Sequence, residues 1–493
     1  MNCTKYLFAS TLLAVTFSFA APRLRAQDPP QDQQQPPSQD DQLPDKPKPA
    51  ARSFPSPTIL YGNGQDDTNP NTSGLQSDYT PLTGVQNATL GIPDPEHSYW
   101  VPGLQYGANI LSPGSNGGGS GSWYVDNYFA GNVTLLDSWS RSQLALNYSG
   151  GAFVSSDSTQ GTSQYQTFSF SENYHTGRYM FQVLDQFSYL PQSSFGFGGG
   201  TNLGVPGVGG SLGYTTPGLG TNYVPNQSIS GFGPRYSNAS ALQLTYALSK
   251  RGSITLSGVY GLLTFINPGN FDSTTLSAGA GYNYAITRKD TLGVVYRFTN
   301  DQFPGNPQAY GDHTVNIAYG RKITGRLAVQ LLVGPEYTTF RIPIGTSSST
   351  TGVSVSAFAT YGFEKGSITG GYNHGLSNGS GLLTGSVLDQ FSFRASRRLT
   401  RAWSVDFSAG YGHNRPVINT GPNSGTYDST YITVTGSRPF GRNLNLGLGY
   451  TDSINSSSNS GCVGSACSYA NYNYQMISLS IQWHTRPFLI PSF

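Results

Sequence analysis

The chain has 493 residues, 36% hydrophobic and 11% charged, with a formal net charge of +2. Average globular sequences hold roughly 45–50% apolar and about 25% charged residues, whereas this one is rich in Gly (62), Tyr (32) and Phe (26). That texture excludes a helical bundle or an enzyme built on amphipathic helices. The absence of a basic excess gives no footing for nucleic acid.

Residues 1–26 read as a secretory signal peptide. Lys5 supplies the positive start, Tyr6 to Ala21 form an apolar core, and small residues suited to cleavage stand at Ala20, Ala21 and Ala26. The core is too short for a comfortable membrane helix, and no later stretch approaches the roughly 20 apolar residues that such a helix needs. Any membrane residence therefore has to come from strands. Cys3 leaves with the signal. The remaining Cys462 and Cys467 lie in a Ser/Asn/Gly-rich stretch, where an exported protein is expected to close a disulfide across a loop tip.

Gln27 to Pro55 is almost pure Pro, Gln and Asp, a composition that cannot bury a core. From Gln27 to Trp100 there are ten acidic residues and three basic ones, so 27–100 is predicted to be an acidic, largely disordered arm.

Beyond Trp100 the texture changes. Segments of about ten residues alternate apolar with small or polar, the period of a strand with one greasy face. Leu242, Leu244, Tyr246 and Leu248 keep this step, as do Leu276, Ala278, Ala280, Tyr282 and Tyr284, and Ile477, Leu479, Ile481 and Trp483. The connections alternate in length. Short ones such as His175–Arg178, Ser249–Gly252, Thr287–Asp290 and Ser396–Arg401 alternate with longer ones, among them Ser112–Asp126, Pro191–Asn238, Gly412–Asp428 and Thr451–Asn471. A transmembrane barrel with short turns at one rim and long loops at the other shows this alternation. Charge agrees: 15 of the 21 Lys and Arg beyond Trp100 sit at the short turns, including Lys250, Arg251, Arg288, Lys289, Arg397, Arg398 and Arg401. Basic residues avoid the midplane of a lipid-facing wall because each costs roughly 2–4 kcal/mol there.

Seventeen strands can be counted from Tyr128 to Trp483, and Pro102–Leu111 supplies another ahead of them. The predicted fold over 101–493 is an all-β, antiparallel transmembrane barrel of about 18 strands. Sixteen is the competing count, if weak segments such as Gln164–Tyr174 or Val387–Ala395 are not strands. Either size encloses an aqueous channel.

By this pattern the chain resembles the outer-membrane β-barrels of Gram-negative bacteria, most closely the porin-like ones. The resemblance implies an outer-membrane address among lipid, with the N-terminal arm in the periplasm. It also implies insertion by the outer-membrane assembly machinery, which reads a last strand of alternating apolar residues ending in an aromatic. Ile477 to Trp483 fit that description, yet ten residues follow Trp483. Either the signal is internal or the tail from His484 folds back.

Few residues suggest chemistry. Arg297, Arg394 and Asp406 fall on the face opposite the apolar one, where a charge meets the lumen and can tune selectivity. The facing of Glu336 and Asp185 is open. Pro191–Asn238 is Gly-rich, and its sole charge is Arg235; it is either an uncharged constriction folded into the lumen or a surface flap. His374 and Ser377 are three residues apart, which splits them across a strand, so an outer-leaflet lipid hydrolase needs a bulge to unite them. The six histidines have no metal-ligand spacing, and no motif calls for a cofactor. The expected function is passage of small hydrophilic solutes, or export of a polymer, through a water-filled lumen. A plugged structural or adhesive barrel is the competitor.

Overall fold

The computed structural model describes residues 98–112, 123–156, 162–190, 235–249, 251–266, 271–287, 289–306, 308–324, 326–341, 347–363, 365–377, 383–400, 402–417, 425–441, 443–458, 472–486 and 488–490. The signal peptide, most of the acidic arm, residues 191–234 and both Cys462 and Cys467 lie outside them.

The strands in chain order are β1 (Tyr99–Leu111), β2 (Tyr124–Ser138), β3 (Ser142–Ser155), β4 (Thr162–Thr176), β5 (Tyr179–Leu190) and β6 (Arg235–Ala247). Then follow β7 (Gly252–Phe265), β8 (Ser273–Ala285), β9 (Asp290–Gln302), β10 (Ala309–Lys322), β11 (Leu327–Arg341) and β12 (Ser347–Phe363). The wall is completed by β13 (Gly366–Ser377), β14 (Ser386–Arg398), β15 (Ser404–Pro416), β16 (Tyr427–Phe440), β17 (Leu444–Ser457) and β18 (Tyr472–His484), with a two-residue β19 (Phe488–Leu489). Each strand pairs antiparallel with its sequence neighbour, and β1 also pairs with β18, from Gly103 opposite His484 to Leu111 opposite Met476. The sheet is closed, so it has no free edge.

Among the described residues eighteen full strands form the wall, and the two segments on which the count of 16 depended are β4 and β14. Several strands run past the predicted ends. β6 already begins at Arg235, so the longest connection is 191–234 rather than Pro191–Asn238. The contrast between rims is also weaker than the sequence suggests: 342–346 at the long-loop rim is no longer than 399–403 at the short-turn rim.

The alternation is inverted relative to a soluble protein. On β1, Val101, Gln105, Asn109 and Leu111 are buried inward, while Leu104, Tyr106 and Ile110 are exposed outward. Around the barrel the inward rows are mostly polar and buried, among them Gln182, Gln243, Asn283, Thr314, Ser478 and Gln482. The outward rows expose Leu242, Leu256, Leu276, Val294, Ile317, Ile432, Leu448 and Leu479. Water would penalise such an exterior heavily, whereas hydrocarbon matches it. Exposed aromatics mark the ends of the wall, with Trp100, Trp139, Tyr179 and Trp483 toward the short turns and Tyr236, Tyr260 and Tyr337 toward the long loops.

The ladder between β10 and β11 is interrupted once. Thr314 pairs with Glu336 and Ile317 with Val333, but Gly334 and Pro335 make no pair with β10. Pro335 has no N–H to donate. The carbonyl of Val315 approaches Gly334 so closely that a Cβ there would overlap it. Gly334→Ala is therefore expected to lower the unfolding free energy by about 1–3 kcal/mol, an overpacking cost against backbone. Urea titration in lipid vesicles checks this, and an unchanged midpoint would contradict it.

Candidate functional site

The alternation fixes which charges point inward. On β9, Val295, Arg297 and Asp301 share the inner face; on β10, Tyr310, Asp312, Thr314 and Ala318; on β11, Leu332, Glu336, Thr338 and Phe340. Cross-strand register stacks them in rows: Arg297–Thr314–Glu336, then Thr299–Asp312–Thr338, then Asp301–Tyr310–Phe340 nearest the long loops. Asp301, Asp312 and Glu336 are 3%, 3% and 8% exposed. Asp312 accepts a hydrogen bond from the Thr338 hydroxyl at 2.8 Å, and Asp301 accepts one from Thr275. Glu336 accepts the peptide N–H of Leu376 at 3.2 Å. The cluster lies between two apolar groups, Val295, Ala318 and Leu332 below and Phe303, Tyr310 and Phe340 above. Apolar flanks lower the local dielectric and strengthen the field of the charges between them.

Arg394 and Asp406 also face inward, on β14 and β15 toward the short turns, and form an ion pair at 3.6 Å. They largely neutralise each other. Arg297, in contrast, makes no ion pair among the described residues, and its Nε has no hydrogen-bond partner. Arg235, placed by sequence on a loop, opens β6 and is buried on its inner face. Of the two residues of open facing, Glu336 points in and Asp185 points out. Asp185 lies opposite Ser240 on the outer face of β5 and β6, and accepts hydrogen bonds from the Ser240 hydroxyl at 2.5 Å and the Asn238 amide at 3.2 Å.

His374 and Ser377 stand on opposite faces. His374 points outward and shares a hydrogen bond with Asp389 at 2.6 Å, while Ser377 is buried on the inner face. No bulge unites them, so they do not form a nucleophile–base pair. His374 instead belongs to an outward row that the sequence reading missed: His374, Asp389, His413 and Asp428 are successive cross-strand partners on β13 to β16. Each carboxylate takes a histidine and a tyrosine, Tyr372 and His374 on Asp389, and Tyr411 and His413 on Asp428. Arg415 adds a contact to Asp389 at 3.3 Å. The signal was legible in principle, since Tyr-x-His is followed fifteen residues later by Asp in both cases. Near the long-loop ends of the strands, these networks give the tyrosine hydroxyls a polar partner where an interface belt needs one. Among the described residues no group of three His, Cys, Asp or Glu is arranged to hold a metal.

No family model and no curated protein sequence matches the chain. Among solved structures it is similar to OpdQ of Pseudomonas aeruginosa, at 11% identity and a TM-score of 0.40, over 80% of this chain and 100% of that one. It is also similar to the outer membrane protein OpdK of Pseudomonas aeruginosa, at 10% identity and a TM-score of 0.39, over 79% of this chain and 99% of that one. The FrpB iron transporter from Neisseria meningitidis matches at 8% identity and a TM-score of 0.38, over 80% of this chain and 83% of that one.

Proposed function

We propose that the chain is an outer-membrane channel that passes small hydrophilic solutes through a water-filled lumen. The observation that carries this reading is the closed wall of 18 strands with an apolar exterior and an interior lined by Gln, Asn, Ser, Thr and charged side chains. A water-filled outer-membrane barrel has a polar interior, and these rows have that character. In this reading the long loops face outward, and the short basic turns and the acidic arm face the periplasm. The inward charges Arg297, Arg394 and Asp406 set selectivity, with Arg394 and Asp406 contributing little net charge as a pair.

Single-channel recording of the refolded mature chain in a planar bilayer tests the proposal, beside a variant in which 192–233 is replaced by a short Gly/Ser linker. Steady conductance steps from the full chain are expected. Steps from the variant alone would make the long connection a plug. Silence from both folded barrels would overturn the channel reading in favour of a structural barrel.

A further inference from the structure

We propose that Asp312 and Glu336, beside Thr314, and Asp301, two rows nearer the long loops, form on the inner face of β9 to β11 a binding site for organic cations, solutes bearing an ammonium or guanidinium group. The inference rests on the channel reading only for how such a solute reaches the site.

Charge balance comes first. Three carboxyl groups share this stretch of wall with one guanidinium, Arg297, whose charge acts on Asp312 and Glu336 without coming within ion-pair distance of any of the three. Each carboxyl group takes an uncharged donor, Thr275, Thr338 or the Leu376 peptide N–H, and Asp312 and Glu336 also hydrogen-bond each other, which requires one proton shared between them. The uncharged donors orient the carboxyl groups without cancelling charge, and the shared proton leaves two negative charges, one on Asp301 and one on the Asp312–Glu336 pair. The patch thus carries one negative charge more than Arg297 offsets, in contrast to the balanced Arg394–Asp406 pair closer to the short turns.

A second observation is independent of charge. Thr314 is 0% exposed, and its hydroxyl has no hydrogen-bond partner. It lies directly between Arg297 and Glu336 in the cross-strand row, so this orphaned group points into the patch itself. A buried hydroxyl left unmatched costs roughly 1–3 kcal/mol, a penalty that a donor brought by a ligand relieves.

The dimensions and surroundings choose the ligand class. Neighbouring strands are about 4.8 Å apart and successive inward residues about 6.8 Å, so the three rows span about 14 Å along the wall. A compact metal ion needs its ligands converged on one point, and no such group of three occurs among the described residues. Carboxylates spread over several rows suit a donor with several N–H groups fixed in a fork, as in guanidinium, or an ammonium with three. The apolar groups on either side would lie against the solute's carbon skeleton.

The test is calorimetric titration of L-argininamide into the refolded barrel in detergent at low salt. L-citrullinamide serves as the probe of the same shape without the side-chain charge. Saturable argininamide binding is expected, weakened at least tenfold in Asp312→Asn/Glu336→Gln and severalfold in Thr314→Val, with citrullinamide binding far more weakly. Glu336→Gln alone keeps an acceptor for the Leu376 N–H and serves if the double variant fails to fold, as judged by heat-modifiable gel migration. Asp428→Asn, on the outer face, should bind as the parent does. Absent binding to the folded parent, equal binding by the folded variants, or equal binding of citrullinamide would each overturn the site. Binding without conductance would sink the channel and leave the site, whereas conductance without binding would do the reverse.

Discussion

Leu479→Arg should lose about 2–4 kcal/mol of folding stability in a bilayer, the cost of placing an Arg on the lipid face near the midplane. Leu479 stands one residue from the centre of β18, points outward at 46% exposure, and lies at the seam where the barrel closes, opposite Ala108 on β1 and Leu448 on β17. From there a guanidinium can snorkel only part of the way to a headgroup. The contrast is Thr435→Arg. Thr435 faces inward on β16, opposite Asp406, where a new cation meets a carboxylate and the polar lining. That variant should stay within about 1 kcal/mol of the parent, since a lumen charge is solvated. Urea titrations in vesicles, followed by tryptophan fluorescence and gel migration, read both. Equal midpoints for Leu479→Arg and the parent would mean that this face does not meet lipid.

The same asymmetry explains what a single sequence could show. Strand identity was legible because one greasy face imposes a period of two, and even β4 and β14, with many Ser and Gln residues, keep Phe168, Phe170, Phe391 and Phe393 in step. That period also assigned Arg297, Arg394 and Asp406 to the inner face. It could not show which residues lie opposite one another. Arg297 meets Thr314 and Glu336 only through the register of three strands, and register is set by the whole closed sheet rather than by any local motif. Glu336 was ambiguous for a local reason, since Gly334 and Pro335 just before it blur the alternation and break the ladder to β10. Asp185 broke the rule itself, as a carboxylate on the outer face beside Asn238 and Ser240, in a region where periodicity alone would assign charges to the lumen. The outward His/Asp row was hidden because its successive members are fifteen to twenty-four residues apart in the chain and adjacent only across strands.

Removing the tail from Thr485 onward should cost about 2–4 kcal/mol and lower the yield of closed barrel. Within the tail after β18, Phe488 and Leu489 belong to the wall. After His484, opposite Gly103, pairing resumes with Phe488 opposite Trp100 and Leu489 opposite Tyr99. Four steps along the tail match three along β1, so one extra residue is absorbed as a bulge, and the last strand continues along the closing seam. The Thr485 N–H donates to the Pro102 carbonyl at 3.1 Å and the Ile490 N–H to that of Ser98 at 2.9 Å. Phe488 stacks on Trp100 with centroids 4.8 Å apart. Each hydrogen bond contributes about 0.5–1.5 kcal/mol and the ring pair a similar amount. Without the tail, the start of β1 is left as an unpaired edge where the seam must close. Phe488→Ala separates the two contributions: it should lose the stacking alone, about 1 kcal/mol, and keep the backbone pairing. If the truncated chain refolds with the parent's yield and urea midpoint, the seam is closed by β18 alone and the tail is dispensable.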